Sequence, residues 1–295
     1  MKRRKKKISR GDLTLDIVVT ILLLMLTLVC IYPVWYVIAA SFSSTSELML
    51  NPGFMLWPKN AVIGAYRMVF ENPRLLSGLK NSVLILGLGL PINIVLTMLC
   101  GYFLACKGMF WKRPIAALIM FTMFFSGGMI PAYLNIKSLG LYDTVWALVL
   151  PTGLSVYNAI ICKTAIEGIP DSLQEAAYID GANDLQIIFR VILPLLKPTL
   201  AVLLLYYGVS HWNSWFEASI YIKSAGKLPV QNIIRSILLT NERLGGAAAS
   251  GDDYNAYAET IKYAAIVVTT FPVMCIYPFL QKYFAKGAMI GAVKG

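Results

Sequence analysis

Six stretches of this chain run for 19 residues or more without an Asp, Glu, Lys or Arg: 17–40, 81–106, 114–136, 144–162, 198–216 and 263–281. The next longest such run, 48–58, has only 11 residues. A bilayer core about 30 Å thick is crossed by roughly 20 apolar residues wound as a helix. The pattern therefore predicts an all-α membrane protein with six transmembrane helices. Only 14% of the 295 residues are charged, whereas soluble domains carry about a quarter. A soluble enzyme, a disulfide-rich secreted domain and a disordered chain are excluded. An outer-membrane barrel, built from alternating strands of about 10 residues, does not fit either.

The net charge of +11 would suggest nucleic acid in a soluble protein. Here its distribution argues for topology instead. Lys2, Arg3, Arg4, Lys5, Lys6, Lys7 and Arg10 precede the first span. Cytoplasmic flanks carry excess Lys and Arg. With the N-terminus inside and six spans threaded, inner segments hold 16 basic residues and outer segments 10. Both termini are thus expected in the cytoplasm of a multi-pass inner or plasma membrane protein. We read the tail as this topology signal rather than as a lipid-recognition site. The first apolar region exceeds the 7–15 residues of a signal peptide, so it reads as an uncleaved span.

Cys30, Cys100, Cys106, Cys162 and Cys275 lie in or at the ends of spans, with no CxxC pair. They read as small apolar residues in helix packing. A single histidine, without clustered cysteines, argues against a metal site.

Between the spans, 41–80 is expected as an outer loop with a short helix near 65–70. The third span is interrupted by Ser126-Gly127-Gly128 and Pro131, the second carries Pro91 and Asn93, and the outer segment 217–262 contains a Gly/Ala/Ser-rich stretch read as a flexible loop. The inner segment 163–197 is different. Hairpins between antiparallel helices are short, yet this one has 35 residues. Ser172 and Glu175 fit an S-x-x-E capping box behind Pro170. Gly181 suits a left-handed helix end. Asn183 or Asp184 can cap a second short helix, which Pro194 is expected to stop. Leu173, Ala177, Ile187, Ile188 and Val191 are expected to pack on the membrane domain. From the residues alone, an inner loop resting on headgroups and a docking element for a partner fit equally well.

Here the sequence resembles a known family. Glu175-Ala176-Ala177, Asp180-Gly181-Ala182 and Ile192-Leu193-Pro194 are similar to the EAA loop of importer-type ABC transporter permeases. Asn81-Ser82, Gly101-Tyr102-Phe103-Leu104-Ala105, Leu139-Gly140-Leu141-Tyr142-Asp143-Thr144, Trp212-Asn213, Gln281-Lys282-Tyr283-Phe284 and the final Gly291-Ala292-Val293-Lys294-Gly295 extend the likeness to the maltose-type carbohydrate branch. The 125–131 stretch resembles an oligosaccharide sub-branch. The resemblance implies a type I ABC importer permease fold: a tail 1–16, a first helix 17–40, an outer loop 41–76, a core 77–282 with the EAA loop 163–197, and a C-terminal tail 283–295. It implies a second permease, a cytosolic ATPase dimer, an extracytoplasmic solute-binding protein and a carbohydrate substrate. Glu175, Ala176, Ala177, Asp180, Gly181, Ala182, Ile192 and Pro194 would couple to the ATPase, with Glu175 pairing with a basic group there. No GxxxxGK[ST] motif occurs, so ATP and Mg would sit on the partner. This chain is expected to carry no cofactor and no catalysis.

Candidates for the translocation path are Asn93, His211, Trp212, Asn213, Trp215 and Glu217. His211 with Trp215, and Asn213 with Glu217, stand at i,i+4. An aromatic belt with polar neighbours near the outer interface is the competing reading. A secondary transporter acting alone is the alternative function. It would call for inverted repeats and intramembrane acids, and neither is visible. A membrane enzyme lacks paired catalytic residues.

Overall fold

The computed structural model describes residues 10–50, 53–58, 61–106, 108, 110–240 and 259–292, and among them every regular element is helical. The chain divides into two units, Met1–Glu71 with Gly246–Val268, and Asn72–Gly245 with Thr269–Gly295.

In the first unit α1 (Arg10–Ser41) is a single 32-residue helix. Leu22, Leu23, Leu24, Leu28 and Val29 on it are all more than half exposed, a surface that suits lipid and not water. Its C-terminal end is pinned by aromatics. Trp35 stacks on Trp57 at 5.5 Å, and its indole N–H donates to the Leu56 carbonyl at 2.7 Å. The expected outer loop is folded: α2 (Thr45–Leu50) and α3 (Gly64–Phe70) form within it. Ala65 and Val69 of α3 are fully buried. Tyr66 bonds Ser41 at 2.7 Å, and Thr260 bonds the Ser43 carbonyl at 2.8 Å.

The second unit is organised around α4 (Pro73–Ala105). It starts eight residues before its charge-free window. Asn72 Oδ1 accepts the Leu75 N–H at 3.0 Å, and Pro73, whose missing N–H costs nothing at a first turn, follows the cap. The third span is two helices, α5 (Lys112–Phe124) and α6 (Met129–Ser138), bent by 114°. The break falls at the expected glycines, where Gly128 takes φ +88°. The fourth is also broken, into α7 (Trp146–Val149) and α8 (Val156–Glu167) around Pro151-Thr152-Gly153. An elbow follows: α9 (Asp171–Ile179), α10 (Asp184–Gln186), a π-helical stretch Ile187–Ile192 and α11 (Leu193–Leu195). Then α12 (Lys197–Trp212) leaves at 89° to that run. After it come α13 (Trp215–Tyr221), a 3-10 turn Ala225–Lys227 and α14 (Val230–Thr240). The last helix, α15 (Thr260–Ala292), belongs to the first unit up to Val268 and to the second from Thr269 on, and carries Pro272 and Pro278. Helices α8, α12 and α14 all pack on α4.

Two described helices are long and apolar enough to cross a membrane unaided, and up to four if each bent pair is one span. The third and fourth of the six charge-free stretches are thus broken helices and not continuous ones. Broken spans survive only where protein or water satisfies the freed backbone, and the break in the fourth span meets side chains of neighbouring helices. The outer segment is corrected. Its 217–240 part is helical and packed, with Val230, Ile233, Ile234 and Ile237 buried, while the Gly/Ala/Ser-rich stretch lies outside the described residues, as do the basic residues 2–7.

Candidate coupling elbow and translocation cavity

The elbow is built by chain-local chemistry. Helix α9 begins after Pro170, with no side-chain cap. The Ser172–Glu175 capping box does not form, because Ser172 already lies within the first turn. Helix α9 ends where Gly181 takes φ +80°. The Gly181 N–H donates to the Tyr178 carbonyl at 3.0 Å and the Ala182 N–H to that of Ala177 at 2.9 Å. This is a Schellman end, and it requires the left-handed residue that glycine supplies. Asn183 then caps the second helix. Its side chain accepts the Gln186 N–H at 2.9 Å, and Gln186 returns a bond to the Asn183 N–H at 3.0 Å.

Pro194 does not stop the helix. The last N–H before it, on Leu193, reaches back five residues to Ile188. Proline lacks the donor for the next bond, so the chain runs on as α11 and turns at Leu196.

Ile187, Ile188, Ile192 and Leu196 are buried with Met98, Tyr102, Cys162 and Ile166 of α4 and α8. Ala177 and Ala182 pack against that cluster. Glu175, Ala176, Asp180, Gly181 and Pro194 are exposed. Leu173, expected to face the bundle, is exposed instead, and Val191 is half-buried. Ile192 thus anchors the elbow, while the EAA helix turns its other face outward. Between α9 and the ends of α4 and α8 lies a recess of about 670 Å³, lined by Glu167, Asp171, Gln174, Glu175, Tyr102 and Tyr178 among others.

A latch that motif reading missed joins elbow to span. Asp184 Oδ1 accepts from Tyr178 at 2.5 Å and from Tyr102 at 3.1 Å. The Asp184 carboxylate, with lesser contributions from burial, holds the Tyr178 phenol above its ordinary value.

Across the bundle, Asn93 and His211 meet. Both are buried, their side chains 2.7 Å apart. Asn93 donates to the carbonyls of Thr152 at 2.7 Å and Gly153 at 3.0 Å. Asn93 is therefore spent on the broken fourth span. The i,i+4 pairs do not form, since the chain leaves α12 at Asn213 and restarts at Trp215. Trp212 is buried. Asn213 is exposed and bonds the Val209 carbonyl at 3.0 Å. Trp215 lies beneath the Arg235 guanidinium, 3.8 Å from the ring centre. Glu217 is half-buried. Of these candidates His211 alone lines a cavity of about 600 Å³, together with Thr152, Ser155, Tyr157, Tyr206, Tyr207 and Ser210 among others.

A second feature outside the predicted set is Asp143, which sits at φ +58°. Its carboxylate accepts the Lys223 N–H (3.0 Å), the Ser224 N–H (2.9 Å), the Ser224 hydroxyl (2.6 Å) and Lys227 Nζ (3.1 Å). The Ser224 hydrogen bonds first, then Lys227 and Lys223, hold it well below the ordinary carboxylate value. The neighbouring Gly226 carbonyl takes Asn81 at 2.8 Å and Ser77 at 3.1 Å. The 222–228 turn is thereby tied both to α4 and to the loop before α7.

The second unit is a bundle of broken apolar helices with a capped elbow on one side and a polar cavity within, and comparison with known proteins places the chain among transport permeases. The chain belongs to the family described as the binding-protein-dependent transport system inner membrane component, whose model matches residues 9–289. It is a component of that inner-membrane importer system. It is 41% identical over 281 residues to the polygalacturonan/rhamnogalacturonan transport system permease protein YtcP of Bacillus subtilis, covering 95% of this chain and 98% of that protein. A bacterial ABC transporter involved in the import of the acidic polysaccharide alginate has a chain that superposes with a TM-score of 0.87 at 30% identity, covering 95% of this chain and all of that one. A chain of the bacterial alginate transporter in complex with its alginate pentasaccharide-bound periplasmic protein shares the fold, with a TM-score of 0.58 at 17% identity over 95% of this chain and 96% of that one.

Proposed function

We propose that this chain is one of two permease subunits of an ATP-driven carbohydrate importer. It threads six spans, with both termini in the cytoplasm. A separate ATPase dimer drives it, and an extracytoplasmic binding protein delivers an oligosaccharide. The observation that carries the coupling half is the elbow. Its buried side is fixed by Ile187, Ile188 and Ile192, while Glu175 and Ala176 stay exposed beside Gly181. In that arrangement Glu175 and Asp180 offer carboxylates to a basic group on the ATPase. Ala176 is small enough for close approach. Gly181, with Ala177 and Ala182 behind it, keeps the elbow's shape, and Ile192 and Pro194 lead its motion into α12. A relative named for polygalacturonan and rhamnogalacturonan and a structural neighbour that imports alginate support the substrate class.

The test is a pull-down of the detergent-solubilised chain from its own membranes, with wild type beside Gly181→Val and Glu175→Lys. Wild type is expected to recover an ATPase and a second permease, and both variants to lose only the ATPase. A wild type that recovers no ATPase, or variants that hold it equally well, would sink the assignment.

A further inference from the structure

The 600 Å³ cavity falls within the range typical of ligand sites. It opens where the fourth span is unwound. The break's backbone is satisfied from neighbouring helices: Asn93 takes the Thr152 and Gly153 carbonyls, and Tyr207 accepts the Ser155 N–H at 3.0 Å. Non-helical backbone at membrane depth persists only when buried in protein or lining an aqueous space. On the open side stand the rings of Tyr157 and Tyr206, 6.3 Å apart and tilted by 44°. They are 53% and 42% exposed. Ser210 lies one turn beyond Tyr206 and is also exposed. Among the described residues the lining holds hydroxyls, an amide, one imidazole and the apolar Leu154, but no Asp, Glu, Lys or Arg. A second cavity, of about 260 Å³ between α4, α12 and α15, is lined by apolar residues, Leu204 among them, and glycine. The polarity is therefore confined to one side of α12.

We propose that Tyr157, Tyr206 and Ser210 form a charge-neutral sugar contact in the translocation path. Pyranose rings present an apolar C–H face that a tyrosine ring can cover and a rim of hydroxyls that tyrosine and serine can bond. With no cation in the lining, the contact reads ring faces and hydroxyls and is blind to a carboxylate on the sugar. Any preference for acidic saccharides then arises elsewhere in the importer. This rests on the carbohydrate reading above.

The test uses the full importer with its partner subunits in nanodiscs. Tyr206→Cys, Ser210→Cys and, as control, Leu204→Cys are each reacted with a water-soluble maleimide. Modification is followed by peptide mass spectrometry at the introduced cysteine, so the five native thiols can stay. Thiol reactivity follows access. The two cavity positions are expected to react about tenfold faster than Leu204→Cys. Galactotriose and trigalacturonate, which differ in the C6 carboxylates, are expected to slow them equally. Reaction no faster than at the control would mean a dry, packed surface and would overturn the proposal. Fast reaction without protection by either sugar would overturn the sugar contact. Protection by the acidic sugar alone would overturn its neutrality. If the pull-down recovers the partners while protection fails, the cavity assignment falls and the permease reading stands.

Discussion

His211 Nε2 lies 2.7 Å from Asn93 Oδ1 across 118 residues of chain. The two carbonyls on the other side of Asn93 can only accept, so its amide N–H₂ faces them and its oxygen faces the ring. That fixes the His211 tautomer with the proton on Nε2. Asn93→Ala would orphan the imidazole and both carbonyls, at about 1 to 3 kcal/mol per buried unpaired group. Thermal unfolding in detergent should show a clear drop in midpoint, and an unchanged midpoint would contradict the role.

The same ring explains Gly89. A Cβ there would stand 2.5 Å from His211 Nε2. Gly89→Ala is expected to cost about 1 to 3 kcal/mol through overpacking. Adding His211→Ala should remove the penalty, a non-additivity that a double-mutant cycle measures. Simple additivity would show that the contact is not the cause.

At the elbow, nothing lies within 4 Å of a Cβ placed on Gly181. Its requirement is conformational, not steric. Asn tolerates the left-handed region better than Ala, and β-branched residues tolerate it least. Recovery of the ATPase should therefore fall in the order Gly, Asn, Ala, Val. A series ranked by side-chain size alone would point to a contact instead.

The Tyr178–Asp184 bond should respond to alkali. A phenol whose folded value is raised adds stability that is complete below its ordinary value of 10.0 and disappears as pH rises through the folded value. The protection of amides in 171–192, exchange measured relative to the intrinsic rate at each pH, should be constant up to the ordinary value and fall above it. Asp184→Ala should give the fast exchange already at neutral pH. Equal exchange in variant and wild type at neutral pH would remove the latch.

Asp143 carries the opposite sign. Its folded value is lowered, so its contribution is present above the ordinary 3.8 and disappears as pH falls through the folded value. Protection of amides in the 222–228 turn, exchange measured relative to the intrinsic rate at each pH, should hold near pH 4 and fall only in stronger acid. Asp143→Asn should make that turn exchange faster at neutral pH and abolish the acid transition. A transition surviving in the variant would assign it to another group.

Much of this was legible in the chain. Charge-free length announces a bilayer, Gly181 announces a left-handed turn, and Asn183 announces a cap, because each is a property of a few adjacent residues. The Ser172–Glu175 box misled, since the helix starts one residue before Ser172 and not after it. Leu173 misled as well: periodicity shows an apolar residue but not which face of α9 the bundle takes. Asn72-Pro73 was a readable helix start that apolar counting passed over. Asp143 stood inside a quoted motif, with its partners some 80 residues away.

The sequence by itself determined that the chain is helical, membrane-embedded and interrupted at an elbow, because bilayer thickness and backbone sterics act locally. Only the tertiary structure decided that Asn93 holds the backbone of a broken span, that Tyr102 and Tyr178 converge on Asp184, and that Tyr157, Tyr206 and Ser210 share one cavity wall. Those outcomes depend on which buried donors and acceptors meet across distant helices. In a medium that supplies no water, each such group must find its partner wherever the packing brings one.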